Sequence, residues 1–474
     1  MSDAVLLSLS VDRGDRRPLF QQIYEEVRAW ILAGKLKPNA KLPPSRKLAA
    51  ELGLSRSTIS AAYDQLICEG YAIGRRGAGI HVCDVPDAIL QSADAGIRSK
   101  PEAYPSPRTS VRPFQSGAPD LASFPYANWA KAVARTARNA PLSLVVGEDP
   151  FGDKALRAAI ADHLADWRGF APAPEQIIVT AGAAGALEIA LRTLTEPGET
   201  IALENPGYLP MRLTARARGL AIEYLPVDDG GAQPAALGAL TGKPGMIVLT
   251  PSHQFPLGGA MPYERRHAFI DWANRTDAFV VEDDFDSEFR YAGRPIAALA
   301  SIGAGDRVLY VGSFSKIFTA SLRLGYLVVP SGLVSAFRKS LDTIGTGASI
   351  LPQRPLAEFI RSGEFHRHIR RMRRLYALRR KAFFEAVDAI LQDRVSYRDH
   401  QAGMTVLLRL RDDLDDRLVA ERAADRGLAL EPASSFYAGA PKISGLLAGF
   451  SAFDPEDMTK GMHSLREVIE TSLA

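Results

Sequence analysis

The chain has 474 residues, 46% hydrophobic and 23% charged, with a formal net charge of +3, which is the make-up of a globular protein with room for two or three domains. No run approaches the ~20 apolar residues of a membrane span, and the first residues lack the basic start and apolar core of a signal peptide, so a cytoplasmic location is expected. Two cysteines, Cys68 and Cys83, make neither a disulfide framework nor a metal site and are expected to be small buried side chains in a reducing compartment.

Charge is unevenly placed. Residues 1–83 carry 12 basic and 8 acidic side chains, the rest 45 and 46. A modestly basic front domain ahead of a near-neutral large one hints at a nucleic-acid partner for the front.

In chain order, the first predicted helix runs from Pro18 to about Ala33, with Phe20, Ile23, Val27, Trp30 and Ile31 at helical spacing and Gly34 as its stop. In 42-LPPSRKLAAELGLSRSTISAAYDQLICEGYAIGRRGAGIHV-82, Ser45 is expected to cap a short helix bearing Leu48 and Leu52. Gly53 makes a tight turn, and Ser55 caps a third helix bearing Ile59, Tyr63, Leu66 and Ile67. Two short strands follow around 74-GRRGAG-79, whose glycines permit the turn and whose arginines sit at its tip.

This layout predicts a winged helix-turn-helix over residues 17–84. The start of its third helix faces base edges in the major groove, and its second helix crosses the backbone. Arg56 offers a fork suited to guanine, Ser57 and Thr58 offer short hydroxyls, and Arg46 can reach a phosphate or base. Arg75 and Arg76 can hold the neighbouring groove or phosphates. The stretch resembles the GntR family of bacterial regulators, whose signature runs Leu-Pro-x-x-Arg, Leu-Ala and Gly-x-Ser-Arg-x-Thr. That resemblance implies Ser45, Arg46, Ser55, Arg56, Ser57, Thr58, Arg76 and Gly77 as contacts to double-stranded promoter DNA.

Residues 85–112 are rich in Pro, Ser and Ala without a sustained apolar period and are expected to form a linker, extended where the prolines cluster. From 113 to 474, short apolar runs alternate with helical patterns: 177-IIVT-180, 200-TIALE-204, 246-MIVLT-250, 278-AFVVED-283, 307-RVLYVG-312 and 324-LGYLVV-329. The alternation predicts an α/β domain with a mostly parallel sheet and helices on both faces.

Lys316 stands after one of those runs, flanked by Ser313 and Ser315, with Arg323 seven residues on. A lysine amine becomes a covalent tool when it forms a Schiff base with an aldehyde cofactor. Pyridoxal phosphate needs three further things: a carboxylate at its pyridine nitrogen, a phosphate cradle and a flat face to stack on. Asp283, where the apolar run of 278-AFVVEDDFDSEF-289 ends, is the candidate for the nitrogen. In 179-VTAGAAGALEIAL-191 the N–H groups of Ala183 and Ala184 open a helix and are candidate phosphate donors, joined by the hydroxyls of Ser313 and Ser315 and the fork of Arg323. Tyr208 in 204-ENPGY-208 is the candidate stacking ring. No metal ligand set is expected.

This order of motifs resembles the fold-type I aminotransferases over roughly residues 113–470. The joined architecture resembles the MocR subfamily of GntR regulators, on 117-GAPDLASFPYANW-129, 250-TPSHQFPLGG-259, 282-EDDFDSEFRY-291 and 312-GSFSK-316. The resemblance implies pyridoxal phosphate on Lys316 as Schiff-base lysine and a head-to-tail homodimer through the large domains. It also implies control of a promoter in response to a small amine effector or to pyridoxal phosphate itself.

Four positions depart from a working transaminase. Phe285 stands where Asp-x-Tyr supplies a phenol to the cofactor's 3-oxygen. Phe255-Pro256 replaces Asn-Pro, leaving His253 or Gln254 as polar substitutes. Gly147-Glu148-Asp149-Pro150 stands where Tyr-Gly-Asp-Pro is common, which removes a partner-subunit tyrosine. Leu447, in 445-GLLAGF-450, takes the place of an arginine for the substrate carboxylate, and an apolar residue leaves such a group uncompensated. The expectation is a sensor with at most residual transamination. The alternatives are an aminotransferase or lyase with a DNA-binding appendage, and a domain that has lost its cofactor and only dimerises. Eight arginines between Arg361 and Arg380 mark a helix with Phe365, Ile369, Met372 and Tyr376 inward, its basic face either solvated or a DNA track.

Overall fold

The computed structural model describes residues 9, 11–15, 17–75, 77–84, 111–144, 149–293, 296–302, 306–344 and 347–473. Two compact units divide the chain after Pro107. The expected linker lies outside the described residues, save 111–112. Among the described residues no helix is long and apolar enough to cross a membrane.

In the first unit α1 (Leu19–Leu32), α2 (Ser45–Leu52) and α3 (Arg56–Cys68) pack on the hairpin of β1 (Ala72–Arg75) and β2 (Gly79–Val82). Helical spacing brings Ile23, Val27 and Ile31 of α1 onto Leu48 of α2 and Ile59, Tyr63 and Leu66 of α3 in one buried core. The Tyr63 hydroxyl donates to Pro43 O at 3.1 Å, pinning α3 to the approach of α2. Gly53 makes the turn in the left-handed region.

Ser55 accepts the Thr58 N–H at 3.1 Å and so caps α3 as expected. Ser45 does not cap α2. The Pro44 carbonyl already accepts from Lys47 and Leu48, so Pro44 is the cap and Ser45 the first helical residue. Cys68 is exposed and Cys83 half-buried, against the expectation of two buried thiols. Leu66 takes the inward position on α3, and two residues further the helix has turned about 200° away.

The second unit is built on an eight-stranded sheet in the order β3-β10-β9-β8-β7-β4-β5-β6. In chain order these are β3 (Ile177–Thr180), β4 (Thr200–Asn205), β5 (Ala221–Asp228), β6 (Gly231–Ala232), β7 (Met246–Leu249), β8 (Phe279–Asp284), β9 (Val308–Ser313) and β10 (Gly325–Val328). The run β5-β4-β7-β8-β9 is parallel, and β10 is antiparallel to both its neighbours. All six predicted strands are present; β5 and β6 extend the sheet beyond them.

Side chains alternate across this sheet, so both faces are apolar. Met246 and Val248 of β7 enter one core with Leu187, Met211 and Phe337, whereas Ile247 and Leu249 enter another with Phe269 and Ile270. Helices cover both faces: α4 (Tyr126–Asn139), α5 (Lys154–Arg168), α6 (Gly182–Leu194), α7 (Leu209–Ala217), α8 (Tyr263–Thr276), α9 (Val334–Ile344), α10 (Gln353–Arg361) and α11 (Glu364–Ala386). The chain closes with β11 (Ser396–Tyr397), β12 (Thr405–Arg409), α12 (Asp416–Asp425), β13 (Glu431–Pro432), β14 (Gly445–Gly449) and α13 (Pro455–Leu473). Its four strands form an antiparallel sheet in the order β11-β12-β14-β13.

Candidate functional site

The parallel strands β8 and β9 end side by side, and the loops that follow them open onto a cavity of about 240 Å³. Its lining includes all eight predicted cofactor residues: Ala183, Ala184, Tyr208, Asp283, Ser313, Ser315, Lys316 and Arg323.

Three consecutive acids end β8, and strand alternation sorts them. Glu282 and Asp284 point away from the cavity onto Arg168, whose Nε lies 2.7 Å from Asp284 and whose Nη2 lies 3.8 Å from Glu282. The Tyr310 hydroxyl also donates to Asp284. Asp283 points the other way. It is buried, its Oδ1 has no hydrogen-bond partner among the described residues, and its carboxyl is pushed up to about 7. Burial is the main cause, Asp284, Glu204 and Asp286 add to it, and Lys316 opposes it. A buried carboxylate oxygen without a donor calls for one, and a protonated ring nitrogen supplies it.

Lys316 lines the same cavity, its Nζ donating to Gly117 O at 3.1 Å. Burial pushes this amine down, against Asp286, Glu431 and Asp283. Gly117 has φ +60°, and a Cβ there would meet Lys316 Nζ at 2.2 Å, so a side chain at this position is strained and moves the lysine end from its place. In the same lining α6 begins at Gly182 with no side-chain cap, so its first N–H groups open on the cavity with the macrodipole behind them. Arg323 reaches the cavity from a left-handed backbone, φ +50°, a conformation costly for a non-glycine residue. Its guanidinium has no hydrogen bond or ion pair among the described residues. These features fit a dianionic phosphate bound at one end of an aromatic ring whose nitrogen meets Asp283.

The wall where a phenol or amide was sought is apolar. Phe255 and Phe285 line the cavity, 5.9 Å apart and edge to face. Neither expected polar substitute lines it. His253 Nδ1 lies 2.9 Å from Asp286 Oδ1, and the Gln254 amide donates to Phe255 O at 2.6 Å, Pro206 O at 3.1 Å and Glu204. Leu447 also lies outside the lining, in an apolar cluster with Leu257, Leu407 and Phe436 against which Phe255 packs. Gly147 and Glu148 lie outside the described residues.

Sequence reasoning missed several neighbours of the site. Gly117 opens 117-GAPDLASFPYANW-129, and its positive φ leaves no mark in the residue pattern. Glu204, Tyr224 and Asp283 surround a second cavity of about 20 Å³, enough for one water. Among the described residues Glu204 Oε1 and Tyr224 Oη have no hydrogen-bond partner, as Asp283 Oδ1 has none, and burial pushes the Glu204 carboxyl up to about 7. Among the described residues no group of metal-ligating side chains is present.

In the first unit Arg46, Ser55, Arg56, Ser57 and Gly77 are exposed, and Ser45 and Thr58 are half-buried. The Ser55 hydroxyl lies 2.7 Å from that of Ser57 and 2.8 Å from that of Thr58, a cluster at the N-terminus of α3. Arg46 and Arg56 have no hydrogen-bond or ion-pair partner for their guanidinium groups among the described residues. Arg75 donates to Asn39 at 3.1 Å, and Arg76 lies outside the described residues.

The arginine-rich helix is α11, with Phe365, Ile369, Met372 and Tyr376 inward as predicted. Most of its basic groups are occupied. Arg367 pairs with Glu364, Arg371 donates to Ser123 O, Arg373 donates to Arg290 O, Arg379 holds Asp120, and Arg380 holds Asp399. Arg361, just before α11, and Arg370 and Arg374 within it stay exposed and unpaired among the described residues.

The family model for bacterial regulatory proteins of the gntR family matches residues 19–82, and that for aminotransferase class I and II matches residues 110–463. The chain is 37% identical to MocR of Rhizobium meliloti over 97% of its own length and 95% of the relative's. It is 34% identical to the pyridoxine biosynthesis transcriptional regulator PdxR of Corynebacterium glutamicum, over 92% and 93% of the two chains. Among solved structures, the kynurenine aminotransferase of Pyrococcus horikoshii superposes with a TM-score of 0.71 at 25% identity, over 77% of this chain and 92% of that one. The multiple substrate aminotransferase of Thermococcus profundus gives 0.70 at 24%, over 77% and 93%.

Proposed function

The chain belongs to the MocR branch of the GntR regulators, a GntR-type DNA-binding unit carried with an aminotransferase class I and II domain. On that premise we propose that it is a cytoplasmic, pyridoxal-phosphate-dependent regulator that binds promoter DNA and responds to a small amine or to pyridoxal phosphate itself. The observation that carries the reading is the buried Asp283 Oδ1, without a partner among the described residues, in a cavity shared with Lys316 and the open end of α6.

Bound there, pyridoxal phosphate supplies an aldehyde that condenses reversibly with primary amines. Asp283 holds the proton on the ring nitrogen. The N–H groups of Ala183 and Ala184, the hydroxyls of Ser313 and Ser315, and Arg323 bind the phosphate, and Tyr208 covers a ring face. The Gly117 carbonyl aims the Lys316 amine. Arg46, Ser55, Arg56, Ser57 and Thr58, with Ser45, Arg76 and Gly77, contact DNA. The rings of Phe255 and Phe285 exclude water and give no proton to the cofactor's 3-oxygen, which favours sensing over turnover. Two copies pair head to tail through the large unit, a reading supported by the exposed Tyr126 and Val133 of α4 and by Leu142.

The test is a visible absorbance titration of the purified protein with pyridoxal phosphate and then with amines, wild type against Lys316→Ala, with promoter binding followed in parallel. A spectrum that never responds to the cofactor sinks the reading. Sustained transamination between an amino donor and a keto acceptor would make the protein an enzyme instead.

A further inference from the structure

Outside the lining of the Lys316 cavity, but close enough to act on the Lys316 amine, stands a carboxylate that none of the roles above uses. Glu431 opens β13 and lies opposite Leu447 of β14. The residue is exposed overall, yet burial pushes its carboxyl up, while Lys316 and the nearby Ser116 hydroxyl pull it down. Ser116 lines the cavity next to Gly117, whose carbonyl holds Lys316. A Cβ on Gly449 of β14 would meet Gln115 O at 2.1 Å and Ser116 Cα at 3.3 Å, so β14, the strand paired with β13, packs closely on the segment that carries Ser116. The turn after β13 packs Phe436 against the cavity wall, its ring 4.9 Å from that of Phe255.

The charges of the cavity are lopsided. Lys316 and Arg323 are the cationic side chains in its lining; the aldehyde and the phosphate take both. The rest of the lining includes the Ser116 and Thr405 hydroxyls, two phenylalanine rings, and Asp286, which is already joined to His253. A carboxylate entering here loses hydration and meets a like charge. An ammonium group meets an acceptor with lone pairs to spare.

We propose that Glu431 recognises the second polar group of the effector and that the effector class is a diamine, one amine directed to the Lys316 end and the other, cationic, to Glu431. The proposal rests on the pyridoxal phosphate reading given above.

The test loads full-length protein with pyridoxal phosphate and titrates it with butylamine, diaminobutane and aminobutanoate, matched in carbon chain. Visible absorbance and promoter binding are both followed. Diaminobutane is expected to act at concentrations on the order of tenfold lower than butylamine, with aminobutanoate weakest. Glu431→Gln is expected to abolish the preference and Glu431→Arg to reverse it toward aminobutanoate, with cofactor loading unchanged in both. Equal action of the three amines, or a preference that survives Glu431→Gln, overturns the proposal. A protein that never takes up the cofactor overturns the underlying reading instead, and the absorbance before any amine is added separates the two failures.

Discussion

Asp283 and Lys316 enter one cavity from neighbouring parallel strands: Asp283 pairs in register with Val311 of β9, and Lys316 follows that strand's end by three residues. Each sits in a buried setting that disfavours its charge, and each favours the charge of the other. Asp283→Asn removes the charged acceptor but keeps the shape. Cofactor affinity measured by absorbance is expected to fall about 10- to 100-fold, the worth of a charge-assisted hydrogen bond. Promoter binding by the first unit in the absence of cofactor should not change.

Stability should depend on pH through the same acids. Asp283 and Glu204 have ordinary values of 3.8 and 4.5 and are both pushed up to about 7 in the fold. The folded state therefore keeps protons that the unfolded chain releases, so these groups make stability fall as pH rises from about 4 to about 7. Cofactor-free protein should melt at lower temperature at pH 7.5 than at pH 5, and the slope should shrink in Glu204→Gln. A slope that steepens in that variant would be the wrong sign.

Gly117→Ala puts a methyl group where the lysine amine lies, on a backbone with φ +60°. The left-handed conformation alone costs roughly 1–2 kcal/mol, and Lys316 must leave Gly117 O. Cofactor absorbance is expected to vanish while far-ultraviolet circular dichroism stays unchanged. Retained absorbance would show that the lysine has another resting place.

At the DNA surface, Arg56→Ala is expected to cost about 1–3 kcal/mol of operator binding and to relax the preference at one base pair. Ser55→Ala removes the cap of α3 and should lower the melting temperature by an amount equivalent to about 0.5–2 kcal/mol. A gel-shift series over single-base operator variants and a thermal melt separate the two effects.

On α11, Arg371, Arg373, Arg379 and Arg380 are tied to carbonyls or acids, so a solvated face is expected there, not a DNA track. Neutralising Arg370 and Arg374 together should leave the salt dependence of promoter binding as it is. A slope reduced by about two would instead place the helix on DNA.

Much of the fold and the candidate site is legible in the residues. The six strands from Ile177 to Val328 are apolar runs bounded by turn residues, and the three front helices follow a helical period with Gly34 and Gly53 as stops; both signals are local. Lys316, Arg323 and the Gly/Ala turn are likewise marked by their place at strand ends. Other features depend on distant segments. Which of Glu282, Asp283 and Asp284 faces the cavity was decided by strand register and by Arg168, more than a hundred residues away. Ser45 lost its capping role because Pro44 offered its carbonyl first. Gly117, Glu204 and Glu431 reach the site from separate parts of the chain, 199 residues apart in the case of Gly117 and Lys316. Sequence determined which elements form and which residue types end them, because propensity and periodicity act over a few residues. Tertiary structure alone decided which groups are buried without partners and which charges share a cavity, because burial and Coulomb interaction depend on distance in space and not along the chain.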